Sequence, residues 1–273
     1  MVKDNLALYF SPCPNDTFVF HAWLHRLIPW SRSIPLSPQL KDVEYCNQAA
    51  LQGLPDVAKV SAALLPQLQH EYILLPVGAA LGYNHGPKLV APQLFPLEEL
   101  GQKTVLFPGV HTTAYALAKK LFPAICHEAF CLYHEIIPQL KAAPAQGDCG
   151  VIIHETRFTL RDQGVVELAD LGTLWQERYS CPLPLGVFVG KKTLGEKLLA
   201  DIVKAIRASL AYAWDHPEAS RAYMQQWSQE KSADIIAAHV NLYVTDETYA
   251  LSSAGLRALA VLLGANVQTL ALP

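Results

Sequence analysis

His154 is the strongest candidate for an acid–base residue in this sequence. It follows the apolar, largely β-branched residues 151–153, which predict a strand buried on both faces and ending at the histidine. The carboxyl ends of strands line the ligand crevice of α/β proteins, and histidine is the usual base near neutral pH. The residues leave two interpretations open: a base that faces a ligand, or a core histidine bound to a backbone carbonyl.

Lys59 and Ser61 form a second candidate site at the end of the predicted strand 56–61. The helical segment 62–68 follows them directly. A single lysine is usually a solvated surface charge. A lysine that lies within an apolar strand end, just before a serine and a helix start, is a better candidate for contact with an anion. Lys59 and Ser61 therefore predict an anion-binding segment.

A third candidate site lies where the predicted strand 103–107 turns into the helix 115–121. Thr112, Thr113 and Ala114 occupy the turn, so their backbone N–H groups lie at or near a helix N-terminus, with two hydroxyl groups beside them. This arrangement favours an anion. It is not a nucleotide-binding motif, because neither GxGxxG nor GxxxxGKS occurs in the chain.

The amino-terminal strand Leu6–Phe10 leads into a polar turn that contains two prolines. Asn15 or Asp16 is predicted to cap the helix that follows, and with Ser11 they place several hydrogen-bonding groups at one strand end. The backbone N–H groups there could hold a carboxylate or a phosphate. The alternative, a well-capped helix with no ligand, is equally compatible with these residues.

Composition excludes several classes of protein. Of the 273 residues, 51% are hydrophobic and only 16% are charged, which indicates a core-rich globular protein rather than a disordered one. The net charge is −3, and no basic run occurs, so the electrostatic signature of nucleic-acid binding is missing. We therefore expect no nucleic-acid partner.

Targeting signals and cysteine spacing predict a cytoplasmic protein without a metal. The first residues show no secretory signal, and the longest apolar windows are shorter than a bilayer span. The six cysteines show neither CxxC pairing nor zinc-site spacing, so we expect free thiols, no metal ligands and no membrane partner.

The order of predicted elements indicates an α/β fold. Apolar runs predict strands at 6–10, 34–40, 56–61, 72–77, 89–91, 103–107, 129–133, 151–153 and 165–168, with a loop at 78–87. Helices are predicted at 198–216, 218–227, 233–243 and from Thr245 or Asp246 to 263.

The polar strand ends come from two separate parts of the chain, which predicts two lobes. We expect residues 1–88 and 187–273 to form the first lobe and residues 89–186 the second. The polar groups would then face one another across a cleft. This predicts a two-lobed, periplasmic-binding-protein-like (type II) fold that closes around a small anionic ligand.

Several short motifs in order resemble the 1,4-dihydroxy-6-naphthoate synthases of the futalosine route to menaquinone. They cover nearly the whole chain, and the last helices match more loosely. The motifs are residues 11–18 (SPCPNDTF), 59–61 (KVS), 111–115 (HTTAY), 152–158 (IIHETRF) and 182–186 (PLPLG).

The resemblance implies a carbon–carbon lyase. Its anionic substrate would be cyclic dehypoxanthine futalosine, cleaved to 1,4-dihydroxy-6-naphthoate and a three-carbon keto fragment without metal or organic cofactor. His154 matches the proton-abstracting histidine of the family. The substrate-binding segments of the family match Lys59, Val60, Ser61, Thr112, Thr113 and Ala114.

Two rival functions stay open on the sequence. One is a non-catalytic solute-binding protein that holds a small aromatic carboxylate in the same cleft. It predicts ligand binding without consumption, together with an export signal or a lipobox cysteine. The other is a different carbon–carbon lyase or isomerase, which would share His154 and differ in the shape of its pocket.

Overall fold

Two β-sheets flanked by helices make up the structure, a computed structural model. It describes residues 4–30, 32, 34–142, 148–158, 160–265, 267, 271 and 272. The strands are β1 (Leu6–Phe10), β2 (Leu36–Leu40), β3 (Val57–Ser61), β4 (Tyr72–Leu74), β5 (Ala80–Gly82), β6 (Lys88–Ala91), β7 (Thr104–Phe107), β8 (His127–Phe130), β9 (Cys149–Ile152), β10 (Val166–Asp170) and β11 (Leu183–Lys191).

Parallel strand pairs bring the predicted site segments to common sheet edges. The first sheet has the order β2-β1-β3-β11-β4, with β5 also paired to β11. The second has the order β10-β6-β9-β7-β8. Strands β1 and β3 run parallel, and so do β7 and β9. The carboxyl ends of each pair therefore lie at one edge, as the prediction requires.

Helices cover both sheets. They are α1 (Pro14–Leu24), α2 (Val43–Leu51), α3 (Leu65–Leu68), α4 (Thr113–Leu121), α5 (Ile136–Ala142), α6 (Leu171–Tyr179), α7 (Glu196–Asp215), α8 (Arg221–Trp227), α9 (Ala233–Tyr243), α10 (Asp246–Tyr249) and α11 (Ser253–Leu263). Within the described part of the chain, no helix is both long and apolar enough to span a bilayer.

The chain passes between the sheets twice. It leaves the first sheet after β5 and enters the second at β6, and it returns after α6, at β11. The predicted lobe boundaries at residues 88 and 186 stay a prediction. Aromatic residues anchor the core of the first sheet, where Phe10 stacks on Phe20 at 4.6 Å and Trp23 is fully buried.

The predicted start of the first helix was wrong. Helix α1 begins at Pro14, and its N-cap is Cys13, which makes no side-chain capping bond. Proline fits the first helical position because its missing N–H would have no intrahelical partner there. Asn15 and Asp16 therefore lie inside the first turn, where their side chains are available for other contacts.

Three other predicted elements also differ from the structure. The predicted loop 78–87 contains the short strand β5, which tertiary pairing with β11 stabilises. The predicted strand 129–133 begins and ends earlier in the structure, as β8 (His127–Phe130). The predicted last helix is two helices, α10 and α11, because Ser252 caps a new helix start.

Two glycines pack closely against the chain where it first crosses between the sheets. A Cβ atom at Gly82 would lie 2.1 Å from the carbonyl oxygen of His85, and one at Gly172 would lie 2.0 Å from its carbonyl carbon. Only glycine fits at these separations. The two close approaches fix the backbone of the crossing segment, which includes Gly86 and Pro87, two residues that line a cavity between the sheets.

We expect Gly172→Ala to destabilise the protein by about 1–3 kcal/mol, the usual cost of overpacking. The obstructing atoms belong to the backbone of His85 and cannot rotate away. Urea denaturation would measure the loss of unfolding free energy. Gly101→Ala is the control, since its Cβ would meet no atom closer than 3.2 Å. Equal stability of both variants would contradict the packing argument.

Candidate active site

A cavity lies between the carboxyl edges of the two sheets. Its empty volume is about 730 Å³, which includes the open space at its mouth. Eight predicted site residues line it: Ser11, Asn15, Lys59, Ser61, Thr112, Thr113, Ala114 and His154. The structure thus brings together segments that lie far apart in the sequence.

Val60 is the one predicted site residue that does not line the cavity. It is fully buried in β3, and its neighbours Lys59 and Ser61 face the cavity. Side chains alternate between the faces of a strand, so the side chain of Val60 belongs to the core. Any part it plays in binding a ligand would therefore use its backbone.

Asp16 organises the wall of the cavity formed by the first sheet, although it was predicted only as a possible helix cap. The carboxylate is 2% exposed. It accepts hydrogen bonds from the Ser11 hydroxyl (2.8 Å) and backbone N–H (3.3 Å), and from Asn15 Nδ2 (2.9 Å). Lys59 Nζ lies 3.1 Å from Asp16 Oδ1. One carboxylate thus orients Ser11 and Asn15, which are both predicted site residues.

Lys59 is a paired charge rather than a free one. Besides Asp16, its ammonium group donates to the carbonyl oxygen of Gly78 at 2.8 Å and lies 4.8 Å from the centre of the Phe188 ring. The residue is 5% exposed. Its charge is therefore largely balanced within the protein, and a bound anion would share it with Asp16.

Ser61 keeps a hydroxyl proton for a ligand. Its backbone N–H donates to Asn47 Oδ1 at 2.8 Å, and its Oγ accepts from Asn47 Nδ2 at 3.0 Å. The second bond uses one of the two acceptor lone pairs of the hydroxyl and leaves its O–H group able to point into the cavity. Asn47 fixes the serine in this orientation.

The start of α4 offers backbone amides, whereas its two threonine hydroxyls serve the fold. Thr112 caps the helix, since its Oγ1 accepts from Tyr115 N at 3.1 Å. The hydroxyl of Thr113 donates to Leu185 O (2.8 Å) and accepts from Ala63 N (3.2 Å). The first N–H groups of a helix lack intrahelical acceptors and favour an anion. Thr113 and Ala114 line the cavity at this end of α4.

His154 lies just after β9, in a conformation that side chains rarely adopt. The strand ends at Ile152, so the predicted strand end was one residue too late, and His154 begins a 3₁₀ helix at φ +61°. Such a backbone conformation is uncommon outside glycine and tends to occur at functional sites. It turns the imidazole toward the cavity.

The two ring nitrogens of His154 have different surroundings. Nδ1 lies 3.1 Å from Cys13 Sγ, and the ring packs edge-on against Tyr133 with centroids 4.8 Å apart. Nε2 is buried and has no hydrogen-bond partner among the described residues. When Nδ1 carries the ring proton and donates a hydrogen bond to Sγ, Nε2 has a free lone pair and can accept a proton.

Burial sets the protonation states of His154 and Cys13. It lowers the pKa of His154, and the adjacent Glu155 carboxylate acts in the opposite direction. Burial also raises the pKa of the Cys13 thiol well above its usual value, with a further contribution from Glu155. His154 is therefore neutral at pH 7, and Glu155 stabilises the positive charge that it gains on taking a proton.

Cys13, His154 and Glu155 also form a group of metal-ligand types that the sequence spacing did not predict. One ligand atom from each residue lies within 4.8 Å of the others, and Glu155 Oε2 has no hydrogen-bond partner in the described structure. Three such ligands can hold a divalent cation. Sequence reasoning missed the group because Cys13 is 141 residues from His154.

Arg157 and Tyr243 line the far wall and were not among the predicted site residues. Arg157 donates to the carbonyl oxygen of Gly86 (2.9 Å), to Tyr243 Oη (3.0 Å) and to Asp170 Oδ2 (3.1 Å). It thus joins the crossing segment, the second sheet and helix α9. The sequence showed Arg157 in a polar cluster but gave no sign of these partners.

His239 is a buried second histidine of the cavity. It lies one helical turn before Tyr243 on α9, and its Nε2 is 3.1 Å from Asn15 Oδ1. Its other ring nitrogen, Nδ1, has no partner among the residues that the structure describes. The i, i+4 spacing of His239 and Tyr243 was the only sequence signal for this wall.

A second set of contacts joins the lobes beside the cavity. Glu44 of α2 accepts from the backbone N–H of His111 (3.1 Å), and the His111 ring nitrogen Nδ1 lies 2.6 Å from the Glu44 carboxylate. Asn47 Nδ2 lies 3.3 Å from the carbonyl oxygen of His111. With the Thr113 bonds, these contacts hold the loop before α4 against the first sheet.

We expect Lys59→Met to destabilise the fold by about 3–5 kcal/mol, because it leaves the Asp16 carboxylate buried without its cation. The matched control is the double variant Asp16→Asn/Lys59→Met, which removes both charges and should recover much of the loss. Urea denaturation of wild type, both single variants and the double variant gives the coupling free energy. Additive losses would show that the pair contributes nothing to stability.

Solved structures similar to this chain confirm the predicted fold. A crystal structure of a protein from Archaeoglobus fulgidus has a TM-score of 0.89 and 26% identity, and it covers 97% of both chains. The alkanesulfonate-binding protein of Xanthomonas axonopodis pv. citri, bound to MOPS, has a TM-score of 0.70 over 99% of this chain and 95% of its own. At 12% identity this second likeness shows the fold alone: α/β, two-lobed and periplasmic-binding-protein-like.

Sequence comparison shows the family. A family model described as menaquinone biosynthesis matches residues 6–266. The 1,4-dihydroxy-6-naphthoate synthase of Thermus thermophilus is 41% identical over 269 residues, which cover 98% of this chain and 96% of the relative. The chain therefore belongs to the 1,4-dihydroxy-6-naphthoate synthase family of menaquinone biosynthesis enzymes.

Proposed function

We propose that the cavity binds cyclic dehypoxanthine futalosine and cleaves it to 1,4-dihydroxy-6-naphthoate and a three-carbon keto fragment in the cytoplasm. The observation that carries this proposal is the unpartnered Nε2 of His154 at a cavity that also contains the start of α4. A neutral base and a set of anion-binding amides are the two groups that the reaction needs.

His154 is the proposed base. We assign the proton of the neutral ring to Nδ1, which then donates to Cys13 Sγ, and this leaves Nε2 to take a proton from the substrate. In the proposed step His154 removes the proton of a hydroxyl on the carbon that leaves. The oxygen electron pair then forms the carbonyl group of the keto fragment, the carbon–carbon bond breaks, and the electron pair of that bond moves to the ring carbonyl oxygen as an enolate. A positioned base of this kind typically contributes about 10²–10⁴-fold to the rate.

Fixed hydrogen-bond donors are the proposed partners of the two anionic groups. The aryl carboxylate and the developing enolate both need donors that are oriented before the reaction starts. The amides of Thr113 and Ala114 and the Ser61 hydroxyl are held by α4 and by Asn47, respectively. Aromatisation of the product supplies the driving force, so this proposal requires no bound metal.

Turnover by the purified protein tests the function directly. We expect mass spectrometry to show that the cyclic futalosine derivative disappears and the dihydroxynaphthoate forms, both with and without EDTA. Loss of activity with EDTA that one divalent ion restores would place a metal in the reaction, and the group around Cys13 would then be its first candidate site. Ligand binding without consumption would support the solute-binding alternative instead.

We expect His154→Asn to lose about 10²–10⁴-fold in kcat while the affinity for substrate stays within a few-fold. Asparagine tolerates the positive φ of this position, so the backbone should keep its conformation. Steady-state kinetics and calorimetric binding of the product would measure the two effects.

The matched control is His134→Ala. His134 is exposed and does not line the cavity, although its ring packs against Tyr133, as does that of His154. The kcat of His134→Ala should stay within a few-fold of wild type. A His154→Asn variant with near wild-type kcat would remove His154 from the mechanism.

A further inference from the structure

A chain of buried hydrogen bonds fixes which nitrogen of His239 carries the proton. The Asp16 carboxylate can only accept, so the atom of Asn15 that faces it at 2.9 Å must be the donor Nδ2. The amide oxygen of Asn15 then faces His239 Nε2 at 3.1 Å. Because that oxygen carries no proton, Nε2 must donate, and Nδ1 of the neutral ring is left with a free lone pair.

This lone pair is an unsatisfied acceptor on a residue that lines the cavity. His239 is 1% exposed, and Nδ1 has no donor among the described residues. Burial lowers the pKa of His239 well below its usual value, and the positive charges of Arg157 and of His154 in its protonated form lower it further. The ring therefore stays neutral, and Nδ1 can accept a hydrogen bond but cannot donate one.

The two ends of the cavity thus differ in what they can recognise. The start of α4 presents N–H donors, which suit a carboxylate. Nδ1 of His239 repels the lone pairs of a carboxylate and suits a group that has a proton to donate. Of the groups on a hydroxylated aromatic acid, only the hydroxyl meets this requirement at neutral pH.

We propose that His239 Nδ1 accepts a hydrogen bond from a ring hydroxyl of the bound ligand, and so selects hydroxylated aromatic acids. This inference rests on the proposed function and deepens it, since it orients the ligand with its hydroxyl toward α9 and its carboxylate toward α4. A site built to pair with a hydroxyl rejects the analogue that lacks it, because its own polar group is then left unpaired.

Calorimetric affinities for two ligands test the assignment. The product, 1,4-dihydroxy-6-naphthoate, is compared with 2-naphthoate, which has the same ring system and carboxylate but no hydroxyl. We expect wild type to prefer the product by about 10-fold or more. His239→Leu should reduce the preference to about 2-fold, and His239→Asn, which keeps an acceptor, should retain part of it.

His85→Leu is the matched control. His85 is also buried, also has an unpartnered ring nitrogen and also packs against Tyr243, but it does not line the cavity. Its preference for the product should equal that of wild type. If His239→Leu keeps the full preference while wild type turns the substrate over, the assignment of His239 is wrong and the proposed function stands. Failure of wild type to bind the product would instead overturn the proposed function.

Nitrogen NMR of wild type labelled with ¹⁵N-histidine gives a readout on the unmodified cavity. The Nδ1 resonance of His239, identified by its loss in His239→Asn, should shift when the product is added and stay in place with 2-naphthoate. A resonance that responds equally to both ligands, or to neither, would contradict a hydrogen bond from the hydroxyl.

Discussion

The buried carboxylate of Asp16 is the group on which the cavity depends. It is balanced by Lys59, and it accepts from Ser11 and Asn15. The Ser11 hydroxyl in turn accepts from the backbone N–H of Cys13, 3.3 Å away. One desolvated charge therefore sets the first turn of α1 and, through Cys13 and Asn15, the orientation of both cavity histidines.

Two rigid features on the side of the second sheet complete the cavity. The positive φ of His154 turns its ring toward Cys13, and the cap at Thr112 fixes the start of α4. Gly82 and Gly172 hold the crossing segment between them. The proposed base and its surrounding donors thus come from different elements, each fixed by its own local contacts, and this is how a site gains a preorganised geometry.

Strand ends could be predicted from the sequence because their geometry follows from local patterns. Lys59, Ser61 and His154 each follow an apolar run, and parallel pairing places the ends of such runs together. The partners of these residues could not be predicted. Asp16 looked like a helix cap, the Thr113 hydroxyl proved to be committed to the fold, and His239 lies on a helix whose docking against Asn15 is set by tertiary packing. Sequence periodicity identifies a helix face, but not the surface it packs against.

The bonds between Glu44 and His111, with those of Thr113, have a kinetic consequence. They join the lobes beside the cavity, so a separation of the lobes breaks them. If the ligand enters by that separation, its association rate is the rate for the open state multiplied by the fraction of time that the protein spends open. In the proposed reaction, the same contacts would then retain the enolate until aromatisation is complete and keep water away from it, so that slow exchange would protect a reactive intermediate.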